Sequence, residues 1–164
     1  MARRFELATG RLRLRALERR DITEFVRYRN IPAVARYQDW PLPYTRDLAH
    51  ELVDEMERLG APTPGEWFQI AIEHTATGAL AGDLAVWLDA TGQLAMLGYT
   101  LAPEAQGNGI ATEAVAAVVE WLFAGCSRRV PVHRISATLD PDNGASARVL
   151  EACGVTYEGA ARSA

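Results

Sequence analysis

The sequence predicts an α/β (α+β) domain, a mixed and mostly antiparallel β-sheet with helices on its faces. Residues 66–73, 79–88 and 94–101 are consecutive β-type segments. They are separated by the short turns His74-Thr-Ala-Thr-Gly78 and Ala90-Thr-Gly92, the pattern of an antiparallel meander. Pro103 cannot donate to a ladder, and past it the apolar period changes. Ala111, Val115, Val118 and Leu122 then share one face of a helix over about 109–123. A further β-type segment over 133–139 completes a strand–helix–strand crossover, so strands 94–101 and 133–139 should be parallel.

The 164 residues fit a single domain, read as residues 5–160, and are enough to bury a core. A hydrophobic fraction of 49% and a charged fraction of 23% are those of a globular protein. The net charge of −4 argues against a nucleic-acid partner, whose footprint is basic. No apolar run is long enough for a membrane span and no signal-peptide core is present, so a cytoplasmic location without a membrane partner is expected. Cys126 and Cys153 lack metal-type spacing and read as buried thiols, with no metal site expected.

Taken in order, residues 11–17 alternate strictly. Leu12 and Leu14 would face a core, with Arg11, Arg13 and Arg15 outward, on a solvated face in preference to a phosphate-attracting row. Asp21-Ile-Thr-Glu24 is a capping-box-like start for a helix carrying Phe25, Val26 and Tyr28, and Pro32 ends or redirects it. Residues 37–44 form a proline-broken loop with three aromatics. Thr45 then caps a second helix with Leu48, Leu52, Val53 and Met56 on one side. Trp40 and Tyr44 either wall a pocket or pack these helices together. Past strand 133–139 come a turn at 140–143, a short helix over 145–152 and a short strand over 155–158. The full order is β-α-α-β-β-β-α-β-α-β.

The chemistry-bearing stretch is Gln106-Gly107-Asn108-Gly109-Ile110-Ala111, between a strand and a helix. Two glycines there let the backbone approach a ligand, and the free N–H groups and the positive end of the helix dipole point the same way. That suits a phosphate or pyrophosphate; a plain tight turn is the alternative. Two common phosphate loops are excluded: no Lys-Ser or Lys-Thr follows the glycines, and Thr112 breaks G-x-G-x-x-G.

With Gly107 as an extra glycine, Q-x-x-G-x-A resembles the acetyl-CoA loop of the GNAT N-acetyltransferases. The wider G-Y-x-L-x-P-x-x-Q-G-x-G-x-A-T-E-A string is similar to their RimJ/RimL-like branch. A second motif, N-x-x-S-x-x-x-L-E-x-x-G from Asn143 to Gly154, resembles the same branch, although Asn143 or Asp142 could simply cap a helix. The resemblance implies the GNAT fold, whose two parallel strands splay apart at Gly98–Leu101, and acetyl-CoA as co-substrate. Tyr99, Thr100 and Leu101 would meet the pantetheine arm. Gln106, Gly107, Asn108, Gly109, Ile110, Ala111 and Thr112 would hold the pyrophosphate. Asn143 would contact the cofactor and Ser146 would be the acid toward the coenzyme A sulfur. The Trp40–Tyr44 region would help form the pocket of an amine acceptor, a protein N-terminus or a small molecule.

The amine must be neutral to attack, which requires a base or a water relay. Many relatives carry a carboxylate two residues before Gly98, where this chain has Met96. Asp83, in Ala81-Gly-Asp-Leu84, could serve directly or through water, or could simply face a turn. Glu73 and His74 are weaker candidates, and His133 reads as structural. Relatives continue with a further strand after the residues matched by Tyr157-Glu-Gly159, so the C-terminal strand is missing from the pattern. An exposed edge at 155–158 would then be covered by a second copy in a homodimer, or leave the chain less stable than its relatives. Two competing readings are a catalytically impaired acyl-CoA-binding or interaction module on the same fold and a nucleotide-phosphate-binding protein.

Overall fold

The computed structural model describes residues 4–36, 38, 40–124 and 132–137. The strands are β1 (Glu6–Ala8), β2 (Leu12–Ala16), β3 (Trp67–His74), β4 (Leu80–Leu88), β5 (Leu94–Leu101) and β6 (Arg134–Ala137). They lie side by side in chain order, and all neighbours are antiparallel except β5 and β6. The helices are α1 (Ile22–Arg29), α2 (Pro32–Ala35), α3 (Arg46–Leu59) and α4 (Ile110–Ala124). The mixed sheet and its one parallel pair are as the sequence predicted.

Cross-strand partners share a face of a sheet. One face therefore carries Leu14, Ile72, Ile70, Leu84, Phe68 and Val86, all fully buried. Helix α4 packs on β2 and β4, with Val115, Val118 and Leu122 in the same core. The Phe5 ring stands edge-on to Phe68 at 5.9 Å and to Trp121 at 5.0 Å, tying the N-terminal segment to this layer. The opposite face carries Arg15, Ala71, Asp83 and Thr100 in one register line, with Gln69 and Ala85 in the next. Helices α1 and α3 cover it through β4 and β3. It is a polar face with a lid of helices, and the candidate site is built there.

Several expectations need correction. Arg15 does not lie on a solvated face. It is 3% exposed, because α1 and the turn before it cover that side of β2. Its guanidinium donates to both oxygens of Asp21, at 2.7 and 3.0 Å, and to Glu73 Oε1 at 3.0 Å. Arg20 reaches the same Glu73 oxygen at 3.0 Å. The capping box lies one turn earlier than Asp21–Glu24: Asp21 Oδ2 accepts from the Glu18 N–H at 2.8 Å, reciprocated by the Glu18 side chain. Pro32 does redirect the chain, by opening α2 at its first position, where its missing N–H costs nothing. Strand β1 is too short to show a period. Thr45 caps α3 as expected, its hydroxyl accepting from the Leu48 N–H at 3.2 Å. The elements expected over 140–158, Asn143, Ser146 and both cysteines lie outside the described residues. No described helix is long and apolar enough to cross a membrane.

Candidate active site

The glycine turn stands where β5 gives way to α4. The Ala102 N–H closes β5 onto the Ala81 carbonyl at 2.9 Å, a 3-10 turn follows over Pro103–Ala105, and Gln106 is extended. Gly107 (φ 81°) and Gly109 (φ 73°) then both enter the left-handed region, which side chains with a Cβ avoid. Among the described residues no side chain accepts from the N–H groups of Gly107, Asn108, Gly109 or Ile110, and Gln106 sends its own amide back to the Leu101 carbonyl at 3.3 Å. Gln106, Gly107, Asn108 and Gly109 are exposed, whereas Ile110 and Ala111 are buried and seat the helix start in the core; only their main chain can face a ligand. Thr112 is half-buried one residue further on. The turn therefore presents main-chain donors at the positive end of a fifteen-residue helix.

Two arginines tie this turn down, and the sequence reading gave neither that role. Arg11 donates from Nη1 to the Asn108 carbonyl at 2.9 Å and from Nε to Glu113 Oε1 at 2.8 Å; its own N–H reaches Glu113 Oε2 at 3.1 Å. The Thr9 hydroxyl also donates to Glu113. Burial pushes the Glu113 carboxyl up, but the Thr9 and Arg11 hydrogen bonds outweigh it and hold it below the ordinary glutamate value. On the other side Arg27 of α1 donates to both oxygens of Glu104, at 2.9 and 3.0 Å, just before Gln106.

The parallel pairing of β5 with β6 runs from Leu94↔Arg134 to Leu97↔Ala137. Tyr99, Thr100 and Leu101 lie beyond the last pair among the described residues and are paired on their other side with Leu84, Asp83 and Gly82 of β4. A Cβ on Gly82 would run into the Thr100 carbonyl oxygen and come within 2.9 Å of the Leu101 Cα, so glycine is needed for β4 to approach this end of β5.

On the helix-covered face Asp83 is 2% exposed. Its carboxylate accepts from the Tyr28 hydroxyl, from the Gln69 amide and from Arg29 Nη2 at 3.1 Å. Burial first, and then the Asp83 charge, raise the Tyr28 phenol well above its ordinary value, so Tyr28 stays a donor. The Arg29 guanidinium carbon stands 4.1 Å from the ring centre of Phe25, 4.0 Å from that of Trp40 and 5.0 Å from that of Tyr44. Arg29 is 8% exposed, and its buried Nε has no hydrogen-bond partner. Trp40 donates its indole N–H to the Arg29 carbonyl at 3.0 Å. Asn30 brackets Tyr44 with bonds of 2.7 and 2.8 Å. Trp40 and Tyr44 thus pack the helices together, and Trp40 is also the half-buried wall of an aromatic box. Tyr28, Arg29 and Gln69 were not singled out from the sequence. The available signal was Asp83 itself, a lone acid within an apolar strand, which calls for a buried cation partner.

Glu73 is held in the Arg15–Arg20 cluster, His74 ends β3 half-buried, and the His133 N–H donates to the Gln93 carbonyl at 2.7 Å. Among the described residues no group of three or more His, Cys, Asp or Glu side chains could hold a metal ion.

The family model described as an acetyltransferase (GNAT) domain matches residues 11–156. The probable N-acetyltransferase YjcK of Bacillus subtilis (strain 168) is 44% identical over 70 residues; the match covers 43% of this chain and 36% of that relative. Among solved structures, a spermidine N-acetyltransferase from Vibrio cholerae, in complex with CoA and spermine, superposes with a TM-score of 0.75 at 23% identity, covering 92% of this chain and 84% of the other. A ribosomal-protein-S5-alanine acetyltransferase from Vibrio fischeri superposes with a TM-score of 0.75 at 22% identity, covering 94% and 85%.

Proposed function

The chain belongs to the GNAT acetyltransferase family, and from that membership we propose an acetyl-CoA-dependent N-acetyltransferase that moves an acetyl group to a primary amine by direct attack on the thioester. The acceptor is a protein N-terminal amine or a small-molecule amine, in keeping with the spermidine and ribosomal-protein enzymes of the same fold. The carrying observation is the double-glycine turn, with main-chain N–H groups that no described side chain occupies at the head of α4. A diphosphate needs several convergent donors and little side-chain bulk, and the residues present fit it.

In this reading Gln106 to Thr112 hold the pyrophosphate, and Tyr99, Thr100 and Leu101 line the pantetheine path past the last β5–β6 pair. Asn143 contacts the cofactor and Ser146 gives a proton to the departing sulfur. Trp40 and Tyr44 border the acceptor. Asp83 already accepts from three donors, leaving roughly one of its carboxylate lone-pair sites. It therefore acts as base through a water and does not touch the amine itself. The same saturation favours a second reading, an acyl-CoA-binding module with impaired turnover, because Met96 offers no replacement base.

Calorimetric titration with coenzyme A, together with thiol release from acetyl-CoA over a panel of amines, separates the readings. Binding that Gly109→Ala weakens, with amine-dependent release that Ser146→Ala slows, is the expected result. Binding without release for any amine establishes the module. No binding at all overturns both.

A further inference from the structure

The box formed by Phe25, Trp40 and Tyr44 has the composition of a cation site, and the chain fills it with its own Arg29. Aromatic rings within about 6 Å of a guanidinium or ammonium attract it through the ring quadrupole. Here three ring centres stand 4.0 to 5.0 Å from the Arg29 guanidinium. The box is joined to the end of β5 through one side chain. Arg29 Nη2 donates to Asp83, whose register partner is Thr100 of β5. Two features need explanation. A free ammonium cannot share the box with Arg29. And Arg29 Nε, in a side chain nine-tenths buried, is a donor with no acceptor among the described residues. A buried donor left unpaired is costly, and such groups cluster where a ligand completes them.

We propose that Arg29 is a specificity-determining residue of the acceptor side. It closes the aromatic box to polyamine ammonium groups, and its remaining donor receives an oxygen carried beside the reacting amine, as in the carbonyl of a peptide N-terminus. Trp40, half-buried and in the loop between α2 and α3, is the wall past which that oxygen reaches Nε. The inference rests on the acetyltransferase reading and narrows it to amines bearing an adjacent carbonyl.

The test compares kcat/KM for spermidine and for a short peptide with a free α-amine, using thiol release from acetyl-CoA. The wild-type chain should favour the peptide. In Arg29→Met, where Tyr28 and Gln69 still donate to Asp83, the preference should fall at least roughly tenfold, the scale of one lost charge-assisted contact. That change should lie in the acceptor KM, with coenzyme A affinity by calorimetry unchanged. Arg29→Lys, which restores the charge without the fork, should recover exclusion of spermidine but not the peptide KM. An unaltered ratio in a variant with native circular dichroism overturns the proposal, and so does a wild-type preference for spermidine, which needs no variant. Failure to bind coenzyme A, or binding without turnover of either acceptor, overturns the acetyltransferase reading instead.

Discussion

The two sides of the sheet end at β5 are built from different materials. On the α4 side the candidate site offers main-chain N–H groups at exposed glycines. On the α1 side it offers buried side chains: Asp83, Arg29, Tyr28 and Gln69, joined to one another through Asp83. The difference teaches how each fails. A main-chain site depends on dihedral angles and survives most side-chain changes around it. A buried polar network depends on every member, since one deletion leaves a charge unpaired.

The largest effect should therefore come from the side-chain side. Asp83→Ala leaves Arg29 buried without a counter-charge and should cost about 3–5 kcal/mol in urea unfolding; a loss below about 1 kcal/mol would mean that water already reaches the pair. Next is Gly82→Ala, where overpacking against the Thr100 carbonyl should cost about 1–3 kcal/mol and weaken coenzyme A binding, because β4 and β5 are forced apart at the opening. Gly109→Ala tests the main-chain side alone. Its Cβ has room, 3.6 Å from Arg11 Nη2, so the cost is the left-handed φ, about 1–2 kcal/mol, and the turn should relax and bind coenzyme A roughly tenfold more weakly.

Acid should loosen both sides. Burial pushes the Glu113 carboxyl up, but Thr9 and Arg11 together hold it low; burial pushes Glu73 up, and Arg15 and its neighbouring arginines together hold it low. A depressed folded value gives stability that is full above the unfolded value, about 4.3, and lost as pH falls through the lower folded one. Melting temperature should hold steady from neutral pH to about pH 5 and then fall, less steeply in Glu113→Gln and Glu73→Gln. The smallest effect should be Arg11→Ala: its pair with Glu113 is half-exposed, so stability should change by less than about 1 kcal/mol. Coenzyme A affinity should fall by only a few-fold, since the N–H donors remain; a complete loss would make Arg11 a direct phosphate ligand.

The asymmetry also marks what could be read in advance. The glycine turn was legible because Gly107 and Gly109 sit two positions apart in the chain, and a left-handed φ leaves a residue-type signature. The buried face of α4 was legible because Ala111, Val115, Val118 and Leu122 repeat at the helical period. Arg15 was misread because alternation reports which residues share a face, not what covers that face. Asp21, six residues on, and Glu73, fifty-eight residues away, bury it.

By itself the sequence determined strand β2, the meander, the crossover helix and the backbone-made turn, but not β1, because φ preference and hydrophobic period act between near neighbours and three residues show no period. The tertiary structure alone decided that Arg29 fills the aromatic box, that Asp83 is saturated, and that Arg11 and Arg27 brace the turn. Gln69 lies 14 positions from Asp83 and the box rings 4 to 15 from Arg29, but the bonds of Asp83 to Tyr28 and Arg29 and those of Arg11 and Arg27 join residues 54 to 102 positions apart. Only folding brings such partners within hydrogen-bond reach, and a buried charge keeps its place only where a partner has been brought to it.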